Sequence, residues 1–500
     1  MSRYDVLVVG AGAAGAVLAA RLAEDPGRRV LLLEAGPAPT GPFPADLLDA
    51  RLVPGARPGH PAVRPYPAQL TPDRPYTAAR GQYLGGSTTV NGGYFIRARR
   101  EDFDRWAAAG HPAWAYERVL PHLRRMETDL DFGPSRTHGA HGPLRVRRGE
   151  PKHPAATAFA SATRELGYPA EPDKNAQEAP GFGPVPSNAV DGLRLNTAVA
   201  YLRDRPNLTV LGGRRVVRVT VARGRATGVR LADGTVLDAG EVVLCAGAFA
   251  TPQLLHLSGI GPRADLERLG VPVLQDLPAV GAAFSDHPQV ALEWTPHQDL
   301  GAPVDSWLGG CLHLSSTDAP HPGDLEILQS LTPMAALVGG TVTAPGAPLA
   351  FLASAQTPRR TGTLRLGSAD PNTPPRIKYG YLRTPDDRRR LREVVRATAE
   401  LATTRAFAEV SRAFLGPAPG TLADDRALDA WIADHLGTAQ HTCGTVPMGP
   451  AVDQYGRVHG IAGLRVADTS ILPDAPVRGP AATAVLIGEL VADAMRRALP

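Results

Sequence analysis

Short apolar runs and longer amphipathic stretches alternate along the chain, and the pattern changes near residue 291 and again in the tail. Residues 4–10 (Tyr-Asp-Val-Leu-Val-Val-Gly) form a Val- and Leu-rich run that predicts a buried parallel strand. A helical stretch at 16–23 and a second strand at 29–34 complete a strand–helix–strand unit. Further strands are predicted at 207–211, 215–221, 226–231 and 241–247, with a hairpin signal at Asp233-Gly234. Helices are predicted at 101–109, 115–127 and 159–167, in the second half of 188–202, and from Thr251-Pro252 through His256. Residues 37–77 are rich in Pro, Gly and Ala without sustained periodicity and read as a long ordered loop or lid-like excursion; residues 129–154 read as polar loop.

From residue 291 the runs at 291–294, 312–314, 324–328, 349–353 and 363–366 predict a mainly antiparallel sheet. A long helix follows at 386–403, with Leu391, Val394, Val395 and Ala402 on one face and Thr398 between them. The tail returns to the first style, with a strand at 463–468 and an apolar helix at 481–495. The expected architecture is therefore an α/β body with an inserted α+β domain. The body is discontinuous, residues 1–290 and 437–500; the insert, 291–436, is built on a mainly antiparallel sheet flanked by helices.

The candidate chemistry starts at the first strand-to-helix turn, Gly10-Ala-Gly12-Ala13-Ala14-Gly15. Gly10 permits the tight turn, Gly12 lets a pyrophosphate approach bare backbone, and Gly15 lets helix and strand pack closely. The N-terminus of the following helix offers free N–H groups and about half a positive charge, so Ala13 and Ala14, in the turn before it, count among the candidate ligand contacts. Glu34, followed by Ala35, ends the second strand at about the 20-residue offset where a carboxylate binds a ribose 2′-OH and repels a 2′-phosphate. These residues predict a dinucleotide without a 2′-phosphate. A second glycine pair, Gly85-Gly86, precedes Ser87 and Thr88 and predicts another stretch of backbone laid against the ligand. Val216 stands where a strand can offer its backbone to an adenine. Ala246 and Gly247 end a strand in small residues, as the ligand crevice of a doubly wound sheet requires.

Composition narrows the class. Five hundred residues predict two domains, and 43% hydrophobic with 20% charged residues is ordinary for a water-soluble globular chain. The net charge of +4 comes with scattered Arg and no basic stripe, which argues against a nucleic-acid partner. Three distant cysteines, Cys245, Cys311 and Cys443, suggest neither a disulfide framework nor a metal site. A cytoplasmic location is expected: no basic leader with an apolar core is visible, and no run approaches the ~20 apolar residues of a membrane span. Peripheral membrane contact is compatible with this.

Six blocks together resemble the glucose–methanol–choline (GMC) family of FAD-dependent oxidoreductases: residues 5–36, 81–95, 246–261, 270–287 (ending in Asp286-His287), 441–449 and 463–489. The resemblance implies a Rossmann-like FAD domain, a substrate domain, and a flavin between them. By position, Gly10, Gly12 and the turn to Gly15 match the pyrophosphate loop and Glu34 the ribose ligand. Gly85, Gly86, Asn91 and the adjoining Gly92 match the flavin-side loop, Val216 the adenine contact, and Asp468 a second pyrophosphate-region contact. Pro480, Ala481 and Thr483 match the flavin's pyrimidine end. Some members attach FAD through a histidine just before the position of Asn91; here that residue is Val90, so the FAD is expected to be non-covalent. His441, in His-Thr-Cys-Gly-Thr, matches the family's active-site histidine, and Cys443 beside it reads as a packing residue.

The family's second active-site His or Asn is replaced by Gly479, leaving a water, Arg478 or the substrate to supply that role. The blocks around Val90 and Gly479 are also similar to the mycofactocin-associated branch. The resemblance thus implies oxidation of a CH–OH donor, a small alcohol or a reduced redox cofactor such as mycofactocinol, with a quinone or carrier protein as conceivable acceptor. A peroxide-forming alcohol oxidase, a hydroxynitrile-lyase type protein with FAD as scaffold, and a non-catalytic flavin-binding protein are the competing readings; an NAD-dependent dehydrogenase is disfavoured.

Overall fold

The βαβ opening folds as its pattern requires. In the computed structural model, which describes residues 4–149, 152–339 and 343–497, strand Tyr4–Val9 lies parallel to strand Val30–Leu33, with Val6 opposite Val30. The intervening helix Ala13–Leu22 buries nearly its whole length. The sheet runs, in spatial order, Leu208–Leu211, Val30–Leu33, Tyr4–Val9, Val236–Leu244, Arg225–Leu231 and Val216–Ala222. Strand Val236–Leu244 serves three partners, the first being Tyr4–Val9, which runs parallel to it with Tyr4 opposite Ala239 and Val9 opposite Leu244. Its first residues pair antiparallel with Arg225–Leu231, and Val242, Val243 and Leu244 pair parallel with Leu464, Arg465 and Val466 of the tail.

The tail is held by packing as well as pairing. Helix Ala481–Arg497 lies on helix Ala13–Leu22 so closely that a methyl carbon at Gly488 would come within 2.5 Å of the Ala14 carbonyl oxygen. Beside this contact the buried Glu489 carboxylate accepts Arg21 Nε at 2.9 and 3.0 Å and the Tyr201 hydroxyl at 2.9 Å.

A second, all-antiparallel sheet runs Ser411–Phe414, Pro288–Pro296, Leu349–Ala355, Leu325–Ser330, Leu308–Leu314 and Phe182–Pro184. Period-2 alternation gives it two different faces. Val290, Leu292, Trp294, Ile327, Phe351 and Ala353 point into one core under the long helix Pro385–Ala402. Gln289, Ala291, Glu326, Leu328 and Leu352 point the other way, toward a cavity. The helix presents Leu391, Val394, Val395, Thr398 and Ala402 as buried residues, as its sequence period predicts, and Thr384 Oγ1 caps its start. Strand Phe182–Pro184 and helix Pro154–Glu165 also join this body from well before residue 291.

Two loop expectations are overturned. The stretch 37–77 contains strand Val63–Thr71 and the start of strand Arg74–Gly81, which form an antiparallel hairpin with Val63 opposite Gly81. Tyr66, Ala68 and Leu70 are buried in alternation; Pro65 and Pro67 mask the pattern in the sequence. Their missing N–H groups cost little, because they share a strand edge with Gln69, where the neighbouring strand Arg376–Lys378 reaches only Ala68 and Gln69. Within 129–154, Leu144–Arg148 is a strand whose Arg148 is buried against Asp129 and Asp173, so its polarity reflects an internal ion-pair cluster. No helix among the described residues is long and apolar enough to cross a membrane.

The Glu489 contacts generate a stability prediction. Glu489→Ala leaves Arg21 without its buried partner and is expected to cost about 3 kcal/mol, of the order found for broken buried pairs. Urea unfolding of the two proteins measures this; an unchanged midpoint would show that the tail does not depend on the contact.

Candidate active site

One cavity of about 600 Å³ runs from the first glycine turn to the inner face of the second sheet. It is bordered by Gly10, Gly12, Ala13, Ala14, Glu34 and Ala35 at one end. Gly86, Ser87, Asn91, Gly92, Val216, Ala246, Gly247, Asp468, Pro480, Ala481 and His441 also border it. Three residues expected at the ligand do not border it. Gly15 packs: a methyl carbon there would come within 1.9 Å of the Gly10 carbonyl oxygen. Gly85 adopts φ +90° and turns the chain into the following helix. Thr483 is buried in the last helix.

The nucleotide end is built from backbone. Helix Ala13–Leu22 has no side-chain cap at Gly12, so its first N–H groups and positive dipole end are left to the cavity. A methyl carbon on Gly86, at φ +55°, would come within 2.6 Å of the Gly12 Cα. The two backbones thus form a close-set cradle in which position 86 has to be glycine, while a methyl carbon at Gly12 would lie 3.8 Å from the Gly86 Cα. Glu34 is held in place by the N–H groups of Ala11 at 2.9 Å and Gly36 at 2.8 Å, and burial pushes its carboxyl upward. Both Asp468 oxygens are engaged, accepting Gly247 N–H, the Thr251 hydroxyl and Ser470 N–H. This carboxylate explains why helix Gly247–Leu257 begins four residues before the expected Thr251.

At the other end, backbone register sets the chemistry. Ser285 and Cys443 exchange N–H···O bonds in an antiparallel bridge. Two residues along each strand from it, His287 stands opposite His441. Their Nδ1 atoms are 2.9 Å apart and their rings meet edge to face, with centroids 5.0 Å apart. The chain reaches His441 through Gln440 at φ +62°, a left-handed conformation costing about 1–3 kcal/mol in a non-glycine residue. Asp286 holds that turn: Oδ1 accepts His441 N–H and the Thr438 hydroxyl, both at 2.9 Å, and Oδ2 accepts the Thr442 hydroxyl at 2.5 Å. Arg80 braces it from the hairpin, donating to Gln440 Oε1 and Thr442 Oγ1 at 2.8 Å. Burial lowers His441 to about 4 and His287 to about 3, so both rings are neutral at pH 7.

The sequence reading missed two further cavity residues, Tyr94 and Glu326. The Tyr94 hydroxyl donates to Glu326 Oε2 at 2.7 Å, and His313 Nε2 donates to the same oxygen at 2.9 Å. Burial works against the Glu326 charge, but these donors hold its carboxyl below the usual range. Behind them Lys174 bonds Glu171 at 2.7 Å and His313 Nδ1 at 3.1 Å. Cys311, His313 and Glu326 have ligand-like spacing, but the Lys174 ammonium already occupies the charge balance there. A methyl carbon at Gly479 would lie 2.9 Å from the Tyr94 ring and 3.1 Å from His441 Cε1. The tyrosine therefore fills the space the missing side chain would take. Arg478 turns away, fully buried, toward the Gly323 carbonyl at 3.0 Å. Cys443 donates to the His441 carbonyl oxygen at 3.2 Å, and burial raises its thiol well above the ordinary value.

One cavity thus joins an uncapped helix start, the close approach of Gly12 and Gly86, the Glu34 carboxylate and a neutral histidine, an arrangement that fits a bound dinucleotide. The GMC oxidoreductase family models match residues 4–289 and 358–488, and the chain belongs to that family: an FAD-dependent oxidoreductase acting on alcohol-type donors. Relatives share nearly full length. An uncharacterized GMC-type oxidoreductase in the thcA 5′ region of Rhodococcus erythropolis is 39% identical over 97% of both chains. An oxygen-dependent choline dehydrogenase of Rhizobium rhizogenes is 34% identical over 98% of this chain and 95% of its own. The crystal structure of pyridoxine 4-oxidase from Mesorbium loti superposes with a TM-score of 0.92 at 29% identity, covering 100% of both chains. The cradle and the open helix start fit the pyrophosphate of FAD, and Glu34 fits its ribose.

The cradle also predicts a flavin-loading defect. Gly86→Ala, strained at its φ and pressed on Gly12, is expected to purify with most of its flavin lost, read as visible flavin absorbance relative to protein absorbance. Full flavin content in that variant would mean the two backbones need not approach.

Proposed function

We propose that the chain is an FAD-dependent dehydrogenase that oxidises a CH–OH donor with His441 as general base. When bound, FAD supplies the hydride acceptor at N5. The chain's own residues bind and orient the donor and take its proton. The observation that carries this reading is a half-buried imidazole that borders the cavity and that desolvation keeps neutral at pH 7. As the O–H bond breaks, the proton passes to the free nitrogen of His441, a transfer worth about 10²–10⁴-fold; the carbinol carbon would give up its hydrogen as hydride to that acceptor and so become a carbonyl carbon. Tyr94 and Glu326 place a hydroxyl donor and a charged acceptor along the same wall, while Leu328, Leu352 and Trp307 give the donor an apolar contact.

The cofactor-binding residues of this reading are those bordering the cavity from Gly10 to Ala481. Val90 is buried and carries no nucleophile, which supports non-covalent FAD. Within the class, reduced mycofactocin is the specific donor we put forward, with electrons passing to a quinone or carrier protein; the missing side chain at Gly479 supports an unusual donor. A peroxide-forming oxidase is the second reading, favoured by the full-length likeness to pyridoxine 4-oxidase.

His441→Ala is expected to keep its FAD and lose anaerobic flavin bleaching by about 10²–10⁴-fold. Bleaching at the parent rate would remove His441 from the reaction. In the parent, kcat/KM should stay flat on acidification until the pH approaches about 4, then fall as the imidazole is protonated. An acid limb near the ordinary histidine value would contradict a desolvated base. Acid precipitation should release yellow flavin, and flavin left on the denatured chain would contradict non-covalent binding.

A further inference from the structure

We infer that His287 is a positioning residue that fixes the tautomer of His441, so that the bare lone pair of His441 lies on Nε2, the atom left to the cavity. The inference rests on the reading of His441 as the base. It starts from the 2.9 Å contact between the two Nδ1 atoms. Both rings are neutral, so one must donate its Nδ1–H and the other must accept. The other side of each ring decides which.

His287 is 0% exposed, and its Nε2 is buried without a partner at full hydrogen-bond geometry. The backbone acceptor that acts on that ring is the Pro476 carbonyl, set outside full hydrogen-bond geometry. A lone pair on Nε2 would face a carbonyl lone pair inside the protein, whereas an N–H there is attracted to it. His287 therefore carries its proton on Nε2 and accepts on Nδ1. His441 must then donate from Nδ1, and its Nε2 is left unprotonated.

That nitrogen is not among the buried polar atoms lacking a partner, and His441 borders the cavity. The base is thus aimed outward by an internal hydrogen bond. When the donor's proton arrives on Nε2, the Nδ1–H bond to His287 becomes charge-assisted and stronger. The charged groups around the pair are Asp286 on the His287 segment, Glu326 from strand Leu325–Ser330, two strands along the sheet, and Arg80 from the hairpin. Asp286 is spent on the backbone and hydroxyls of 438–442, so it does not serve either ring. The contact is built in by register, since it follows from the Ser285–Cys443 bridge.

Two variants separate orientation from packing. His287→Leu fills similar space without an acceptor, and His287→Asn keeps an oxygen near the place of Nδ1. In FAD-loaded protein, anaerobic flavin bleaching by a saturating alcohol donor should fall about a hundredfold in the Leu variant, the scale of a lost general base. KM and flavin content should change little, and the Asn variant should recover most of the rate. His287→Asp, which adds a charge at the same place, should move the acid limb of the pH profile upward.

Parent-like bleaching in the Leu variant would overturn the proposal, as would equal slowing by Leu and Asn in folded, flavin-loaded protein. Selective ¹⁵N-histidine NMR of the unmutated holoenzyme, assigned by difference with His441→Ala, tests the same claim without disturbing the fold. A pyrrole-type Nδ1 and a pyridine-type Nε2 on His441 are expected; the reverse tautomer would overturn it. If His441→Ala itself bleaches normally, the reading beneath the proposal fails, a result distinct from failure at His287.

Discussion

Everything at the site depends on three parallel residue pairs, Val242–Leu464, Val243–Arg465 and Leu244–Val466. They return the tail to the sheet that begins the chain. Once they form, Asp468 reaches the start of helix Gly247–Leu257, and the last helix closes on the first across Gly488. The segment before the tail strand is thereby brought to the same cavity as the glycine turn, although more than 400 residues separate His441 from Gly15. Two of these contacts bring main chain to main chain, and the third is made by the Asp468 carboxylate. Their cost is loop closure, which grows only slowly with length.

The two ends of the cavity solve opposite problems. At the nucleotide end, side chains are removed so that N–H groups and a helix dipole can meet an anion. At the chemical end, side chains are packed in so that water is kept from an imidazole that must stay neutral. The second end carries the strain, at Gln440, and the buried Asp286 network is what holds it. Burial sets the protonation state of the histidine pair, and register sets which ring faces which. Neither depends on a charge next to His441, in contrast to triads that orient a histidine with a carboxylate.

Features carried by local spacing were legible in the sequence. The glycine turn, the acid at the end of the second strand, the long helix at 385–402 and the strands of the second sheet were of this kind. Features that need cross-strand register were not. Glu326 looks like one charge in an apolar run, until its row on the sheet face places it beside His313 and opposite Tyr94. His287 belonged to a recognised block, but nothing in its neighbours announced a partner 154 residues away. The hairpin at 63–81 was hidden by prolines whose harmlessness rests on where a neighbouring strand stops. Gly479 was read as a lost side chain; the fold shows it as the space that admits Tyr94.

The central claim is that a carbinol donor loses its proton to the chain and its hydrogen, as hydride, to the bound flavin in this one cavity. Anaerobic flavin bleaching by donors carrying deuterium or protium on the carbinol carbon tests it most directly. The account predicts a substantial slowing with the deuterated donor. A flavin-loaded protein that no alcohol bleaches, or one bleached at the same rate by both isotopologues with no other slow step found, would contradict it.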